Sequence, residues 1–196
     1  MLLNQVHGVK VLRVHNHEPI VDGERPAADG MVTKEPGIAL CIFSADCVPV
    51  LLWDDAAHVA AALHAGWRGT LAGIANEGIR AMIDAGARPQ RIRAALGPSI
   101  GPCCFEVDAD LANQFASHIP FAPELTREGQ PGKSYLDLRG IIGRQLEKLG
   151  LNPRLIEGVG PCTRCKSADY FSRRAAGGAI TGLQMSFIAL ERSSNA

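Results

Sequence analysis

A cysteine at the mouth of one apolar run and a histidine at the end of the next are residue types that bind metal or carry nucleophilic catalysis. The cysteine is Cys47, in SADCVPVLL at 44–52, and the histidine is His64, in HAGWRG at 64–69. A second imidazole, His7, sits in NQVHG at 4–8. Taken alone, each has a plainer reading. A lone histidine is commonly a hydrogen-bonded structural residue, and a lone cysteine is commonly a small buried hydrophobe. Taken together, all three stand at strand edges beside a glycine or a turn. Two imidazoles and one thiolate suit zinc, with a fourth position left for water or substrate. Spacing leaves convergence open, because the three come from separate elements. Asp46, next to Cys47, reads either as a turn residue or as a carboxylate that orients a histidine behind a metal. Cys47 and His64 also read as the nucleophile and base of a cysteine hydrolase, which leaves His7 without a role.

The run HAGWRGTLAGI carries a second feature. Gly66 and Gly69 allow backbone amides to approach a ligand, and Thr70 reads as the N-cap of a helix. A helix start favours an anion, and Arg68 adds a planar fork suited to phosphate. The alternative is a strand–turn–helix connection with a solvated arginine. GPSIGPCCFEV at 97–107 is a rigid turn with two Gly-Pro steps. YFSRR at 170–174 offers Ser172 and Arg173 as a substrate wall or as a surface loop. PCTRC at 161–165 matches half of the zinc deaminase signature, and the H-x-E half is missing, with HNHE at 15–18 as its nearest candidate. CTRC also reads as a separate zinc or redox pair. With no second C-x-x-C, plain packing is the preferred reading.

The elements that must position these residues are short. Apolar runs at 9–14, 37–43, 48–54, 58–65, 91–96, 154–160 and 185–191 read as strands, bounded by Gly, Pro or Asp. Helical periodicity covers 70–86, 108–118 and 137–150. Leu71, Ile74, Ile79 and Met82 share one face of the first, and Leu138, Ile141, Ile142, Leu146 and Leu149 stripe the last. The runs at 48–54 and 58–65 are joined by DDAA and read as a hairpin. Hairpins mixed with helical crossovers imply a mixed sheet. There is no dinucleotide-binding glycine fingerprint and no Walker loop. The expected fold is α+β: a single compact domain over 1–196, with mixed β-sheets and helices packed outside.

The chain has 196 residues, 46% of them hydrophobic, and a formal net charge of zero. With no Lys/Arg run it has no electrostatic footprint for nucleic acid or an anionic membrane. No apolar stretch nears the length of a membrane span, and MLLNQVHG lacks the regions of a signal peptide. A cytoplasmic protein is expected, with a monomer favoured. Six cysteines in a reducing compartment argue for buried thiols, ligands or nucleophiles rather than three disulfides.

NQVHG, ADG at 28–30, SADCVPVLL, HAGWRG, GPSIGPCCFEV, YLDLRG at 135–140 and CT…YFSRR occur here in the order seen in the YfiH-like family. The chain resembles that family from Asn4 to about Arg174. The family was first called multicopper polyphenol oxidase, or laccase domain. It is now assigned as zinc-dependent purine nucleoside phosphorylase with adenosine deaminase activity. The resemblance implies that His7, Cys47 and His64 are zinc ligands, with copper an adventitious substitute. It implies purine nucleosides (adenosine, inosine, guanosine, methylthioadenosine) and phosphate as the molecules bound. Family members usually carry several dozen residues before the QVHG histidine, so the chain reads as N-terminally short and His7 is expected to be weakly anchored. A copper oxidase on phenols is the alternative. A multicopper centre needs many imidazoles, and only His15, His17, His58 and His118 remain once His7 and His64 are assigned.

Overall fold

The computed structural model describes residues 1–15 and 25–191. The HNHE run therefore lies outside the described residues from its second position onward.

The fold is α+β. β4 (Val48–Asp54) and β5 (Val59–Ala65) form the expected antiparallel hairpin, with Pro49 opposite His64 and Val50 opposite Leu63. β2 (Gly30–Thr33) adds antiparallel to β5, and β1 (Val11–Val14) adds parallel to β2. On the other side β6 (Arg93–Leu96) pairs antiparallel with β4, and β10 (Ile156–Gly158) pairs parallel with β6. The order β1-β2-β5-β4-β6-β10 is thus a mixed six-stranded sheet. β3 (Leu40–Ser44) and β11 (Gln184–Ile188) form a separate antiparallel pair. β7 (Glu106–Asp108), β8 (Thr126–Glu128) and β9 (Lys133–Leu136) form a small third sheet.

The apolar pattern explains the layering. All seven residues of β5 are buried. Side chains alternate across a strand, so β5 feeds two cores. Val59, Ala61, Leu63 and Ala65 join the main core with Val50 and Leu52. That core is closed by α2 (Ile74–Asp84) through Ile74, Ile79 and Met82, by Phe115 of α3 (Ala109–His118), and by Leu138, Ile141, Ile142 and Leu146 of α4 (Leu138–Lys148). Ala62 faces the other way and meets Met31, Leu40 and Ile42 in a smaller core between the two sheets. Burying each large aliphatic side chain contributes about 1.5–3 kcal/mol. Helices cover one face of the main sheet and the β3/β11 pair covers the other.

Two expectations need correction. The helix after HAGWRG starts earlier than Thr70: α1 (Trp67–Ala72) begins after Gly66, and Thr70 is buried inside it with its hydroxyl donating to the Gly66 carbonyl at 2.9 Å. The 70–86 helix is also broken, because Gly73 at φ +91° ends α1 and starts α2. Strands β2, β7, β8 and β9 were not among the runs read as strands, and all have three or four residues. Among the described residues no helix is long and apolar enough to cross a membrane.

Candidate metal centre

The β4/β5 register places the residue before β4 opposite the residue after β5. Cys47 therefore faces Gly66, one step beyond the Val48–Ala65 pair. A Cβ on Gly66 would lie 3.0 Å from the Cys47 sulfur and 3.0 Å from Cδ2 of His7. The missing side chain is what lets three donors meet. One ligand atom from each of His7, Cys47 and His64 lies within 4.8 Å of the others. The two imidazoles pack edge to face with centroids 4.8 Å apart.

Asp29 organises the group from behind. Its side chain is fully buried and Oδ1 accepts from His64 Nδ1 at 2.8 Å. The same carboxylate accepts from the backbone N–H of His7 at 2.9 Å and of Gly8 at 2.7 Å, and from Val6 N–H at 3.2 Å. Four donors hold it as an anion, so Nδ1 of His64 carries the proton and Nε2 is left free to ligate. Burial alone would raise the Asp29 carboxyl, but the His64 hydrogen bond and the Gly8 and His7 amides hold it below its ordinary range. Burial alone would likewise lower His64, yet Asp29 and the Cys47 sulfur raise it to about 9. Burial opposes ionisation of Cys47 too, and the His64 and His7 imidazoles bring it down to about 7. The donor set fits zinc: a thiol poised to ionise, one imidazole fixed in tautomer, and a second, exposed one.

The N-terminal strap is well anchored, contrary to the expectation that His7 is weakly held. The Met1 amino group donates to the Ala39 carbonyl, and Cys41 N–H donates to the Met1 carbonyl at 3.2 Å. Gln5 makes a reciprocal pair with the Phe43 backbone at 2.7 and 2.9 Å. His7 sits at φ 61° and Asp46 at φ 90°. Two non-glycine residues in the left-handed region flank the donors, which is where backbone strain collects at functional sites.

The other expected residues are placed differently. Asp46 makes no hydrogen bond to a histidine among the described residues; its carboxylate accepts from Thr163 Oγ1 and from Arg174 N–H, both at 2.7 Å. It ties the 161–176 segment to the loop carrying Cys47, while Asp29 does the orienting. Asp29 lies in the ADG run, and no local pattern marks it. Gly69 makes room for the Gly8 carbonyl, 2.9 Å from where its Cβ would be, rather than for an anion. Arg68 is exposed and stacks on the Trp67 ring at 4.4 Å. Ser172 is buried and its hydroxyl accepts from Ala175 N–H at 3.1 Å, closing a turn.

A cavity of about 980 Å³ opens over the three donors. His7, Cys47 and His64 line it together with Phe43, Ser44, Arg25 and Arg173, and Arg68, Gly66, Gly69 and Ser172 do not. Ser44 Oγ is buried and has no hydrogen-bond partner among the described residues. Arg25 and Ser44 were missed in the sequence, although Ser44 opens the SADC stretch.

Residues 1–191 match the family model described as multi-copper polyphenol oxidoreductase laccase. The chain belongs to that family. Among the laccase-like relatives, a purine nucleoside phosphorylase of Streptomyces coelicolor is 43% identical over 172 residues, covering 88% of this chain and 68% of its own length. A purine nucleoside phosphorylase of Deinococcus radiodurans is 41% identical over 192 residues, covering 97% and 70%. An adenosine deaminase, RL5, from an unknown prokaryotic organism is 35% identical, covering 86% and 63%. The crystal structure of YlmD from Geobacillus stearothermophilus superposes with a TM-score of 0.88 at 32% identity, covering 97% of this chain and 73% of that one.

Proposed function

We propose that this laccase-like chain is a zinc-dependent purine nucleoside phosphorylase that also deaminates adenosine. The observation that carries the reading is the cavity itself. One wall holds the His7–Cys47–His64 donors and the lining also presents two arginines, Arg25 and Arg173. The names of the relatives supply the reaction, and the volume suits a nucleoside with an inorganic anion.

Phosphorolysis joins a phosphate oxygen to C1′ of the ribose and breaks the glycosidic bond, whose electron pair leaves with the purine. The base takes up a proton. The transition state is oxocarbenium-like, so holding the phosphate in line and stabilising the departing base supply most of the rate. Arg173 and Arg25 are the groups for the phosphate, since a guanidinium fork matches its oxygens. The Ser44 hydroxyl offers an unused hydrogen bond to a sugar or base. The Phe43 ring offers an apolar wall. When bound, zinc supplies a Lewis acid that lowers the pKa of water toward about 7, the chemistry that deamination needs. His64 is kept in one tautomer by Asp29, and Gly66 keeps the donors close.

The multicopper reading is not supported by the ligand set. Among the described residues, His58 lies in the β4–β5 turn, His118 at the end of α3, and His15 beside Glu35. None stands near His7 and His64. A cysteine hydrolase would use Cys47 and His64 alone, and the second imidazole on the thiol argues for a metal instead.

The test is to incubate zinc-loaded protein with adenosine, with and without phosphate, and to separate the products by chromatography. Adenine and ribose 1-phosphate are expected only with phosphate, and inosine in both cases. Activity that survives full chelation of zinc would overturn the metal reading in favour of the thiol enzyme.

A further inference from the structure

A second cluster of sulfurs lies outside the cavity. Cys103 and Cys104, in the loop after β6, meet Cys162 and Cys165, in the long irregular stretch between β10 and β11. One sulfur from each lies within 4.8 Å of the others. The Cys165 sulfur is 3.5 Å from that of Cys103 and 3.4 Å from that of Cys104. A zinc–sulfur bond of about 2.3 Å gives a tetrahedron with sulfur–sulfur edges of about 3.8 Å, close to this spacing. A disulfide needs about 2.05 Å, and it joins two sulfurs rather than gathering four.

Two of the four sulfurs accept hydrogen bonds of the kind that favour a thiolate. Gly101 N–H points at the Cys162 sulfur at 3.2 Å, and a guanidinium nitrogen of Arg164 donates to the Cys104 sulfur at 3.5 Å. Gly101 also packs closely on the cluster: its Cβ would lie 3.2 Å from Cys162 Cβ and 3.4 Å from the Cys103 sulfur. The knuckle is a C-x-x-C at one end and an adjacent pair at the other, brought together by the Ser99–Cys162 bridge. Thr163 N–H donates to the Ser99 carbonyl at 3.0 Å and continues that pairing. Sequence spacing alone hides this arrangement, because the partner of CTRC is a CC pair and not a second C-x-x-C.

We propose that Cys103, Cys104, Cys162 and Cys165 form a structural tetrathiolate zinc site that staples the 159–183 stretch to the loop after β6. On binding, the thiols give up their protons and the metal takes all four sulfurs, which leaves no open position for substrate. The staple has a clear task. The 159–183 stretch contains no helix or strand and is mostly exposed. It nevertheless delivers Arg173 to the cavity, and Thr163 and Arg174 to Asp46 beside Cys47. A stretch with little apolar burial needs another source of order, and a closed metal site provides one.

The experiment is zinc analysis of the full chain purified under reducing conditions. About two zinc ions per chain are expected, one at each cluster. Cys47→Ser should lose one equivalent and keep the other. Cys165→Ser and Cys103→Ser, both at exposed positions, should each lose the complementary equivalent. In the Cys165→Ser protein, proteases should cut within 159–183 faster than in the parent. Cobalt loaded into Cys47→Ser should show strong sulfur-to-cobalt charge-transfer bands. The proposal is overturned by Cys47→Ser protein that retains no zinc, by folded Cys165→Ser protein that keeps the parent's full zinc count, or by a Cys103–Cys165 or Cys104–Cys165 disulfide under the same conditions. If a variant fails to fold, cobalt loaded into the parent protein decides the matter by whether its charge-transfer intensity corresponds to four sulfur ligands or to one.

Discussion

At the residue scale the centre depends on what is absent as much as on what is present. That His7, Cys47 and His64 stand together was legible because three such residues at strand edges raise the odds of convergence, and because the motifs around them resemble a family. Asp29 was not legible, since its role arises from a loop more than twenty residues away in the chain. Asp29→Asn leaves the shape and removes the charge that fixes His64. It should weaken zinc binding by about 10- to 100-fold, measured by competition with a chelator. Equal affinity would mean that Asp29 only ties down the 6–8 backbone. Gly66→Ala puts a methyl group 3.0 Å from both the Cys47 sulfur and the His7 ring. It should reduce zinc content with little loss of folded protein, whereas wild-type zinc content would show that the donors have slack. Arg173→Ala should raise the KM for phosphate by roughly ten- to a hundredfold, the worth of one charge-assisted contact of about 1.5–3 kcal/mol. Arg68→Ala should leave that KM alone, because Arg68 is stacked on Trp67 outside the cavity. The reverse pattern would return the phosphate to the α1 turn.

At the element scale the hairpin is the part the sequence reveals best. β4 and β5 are long, apolar and joined by a polar turn, and their register alone aligns Cys47 with Gly66. The α1–α2 break was hidden because Leu71, Ile74, Ile79 and Met82 keep a helical stripe across Gly73. The short strands β7 to β9 carry few buried residues, so they lack an apolar pattern to read. Asp54, fully buried at the end of β4, accepts from Arg91 at 3.0 Å and from the Arg88 and Ala57 amides at 2.9 and 3.1 Å. Burial opposes its ionisation, but these donors hold its pKa below the ordinary value. Its stabilisation is thus complete above the unfolded carboxyl pKa of about 3.9 and is lost as pH falls through the lower folded value. Asp54→Asn should cost about 1.5–3 kcal/mol near neutrality. In denaturant melts across pH, the gap between the two proteins should narrow only below about pH 4. A gap independent of pH would assign the loss to packing.

At the scale of the whole molecule, the cavity gathers pieces that no local pattern connects. The N-terminal strap, the end of β3, the edge of the hairpin and the 173–183 stretch each supply a wall. Sequence reading could name the parts that carry chemistry and the α+β class, because periodicity and residue type are local. It could not place Arg25 or Arg173 against Cys47, because that depends on long-range pairing and on how the irregular stretch is held. The reading of the cavity as a phosphorylase site is tested most directly with inosine, which has no amino group to lose and so isolates phosphorolysis. Zinc-loaded protein and its Cys47→Ser variant would be incubated with inosine and phosphate, and hypoxanthine followed by chromatography. The account predicts phosphate-dependent release of hypoxanthine with ribose 1-phosphate by the parent, and loss of nearly all of it in folded Cys47→Ser. No phosphate-dependent hypoxanthine from fully zinc-loaded parent protein, or undiminished turnover in the variant, would contradict it.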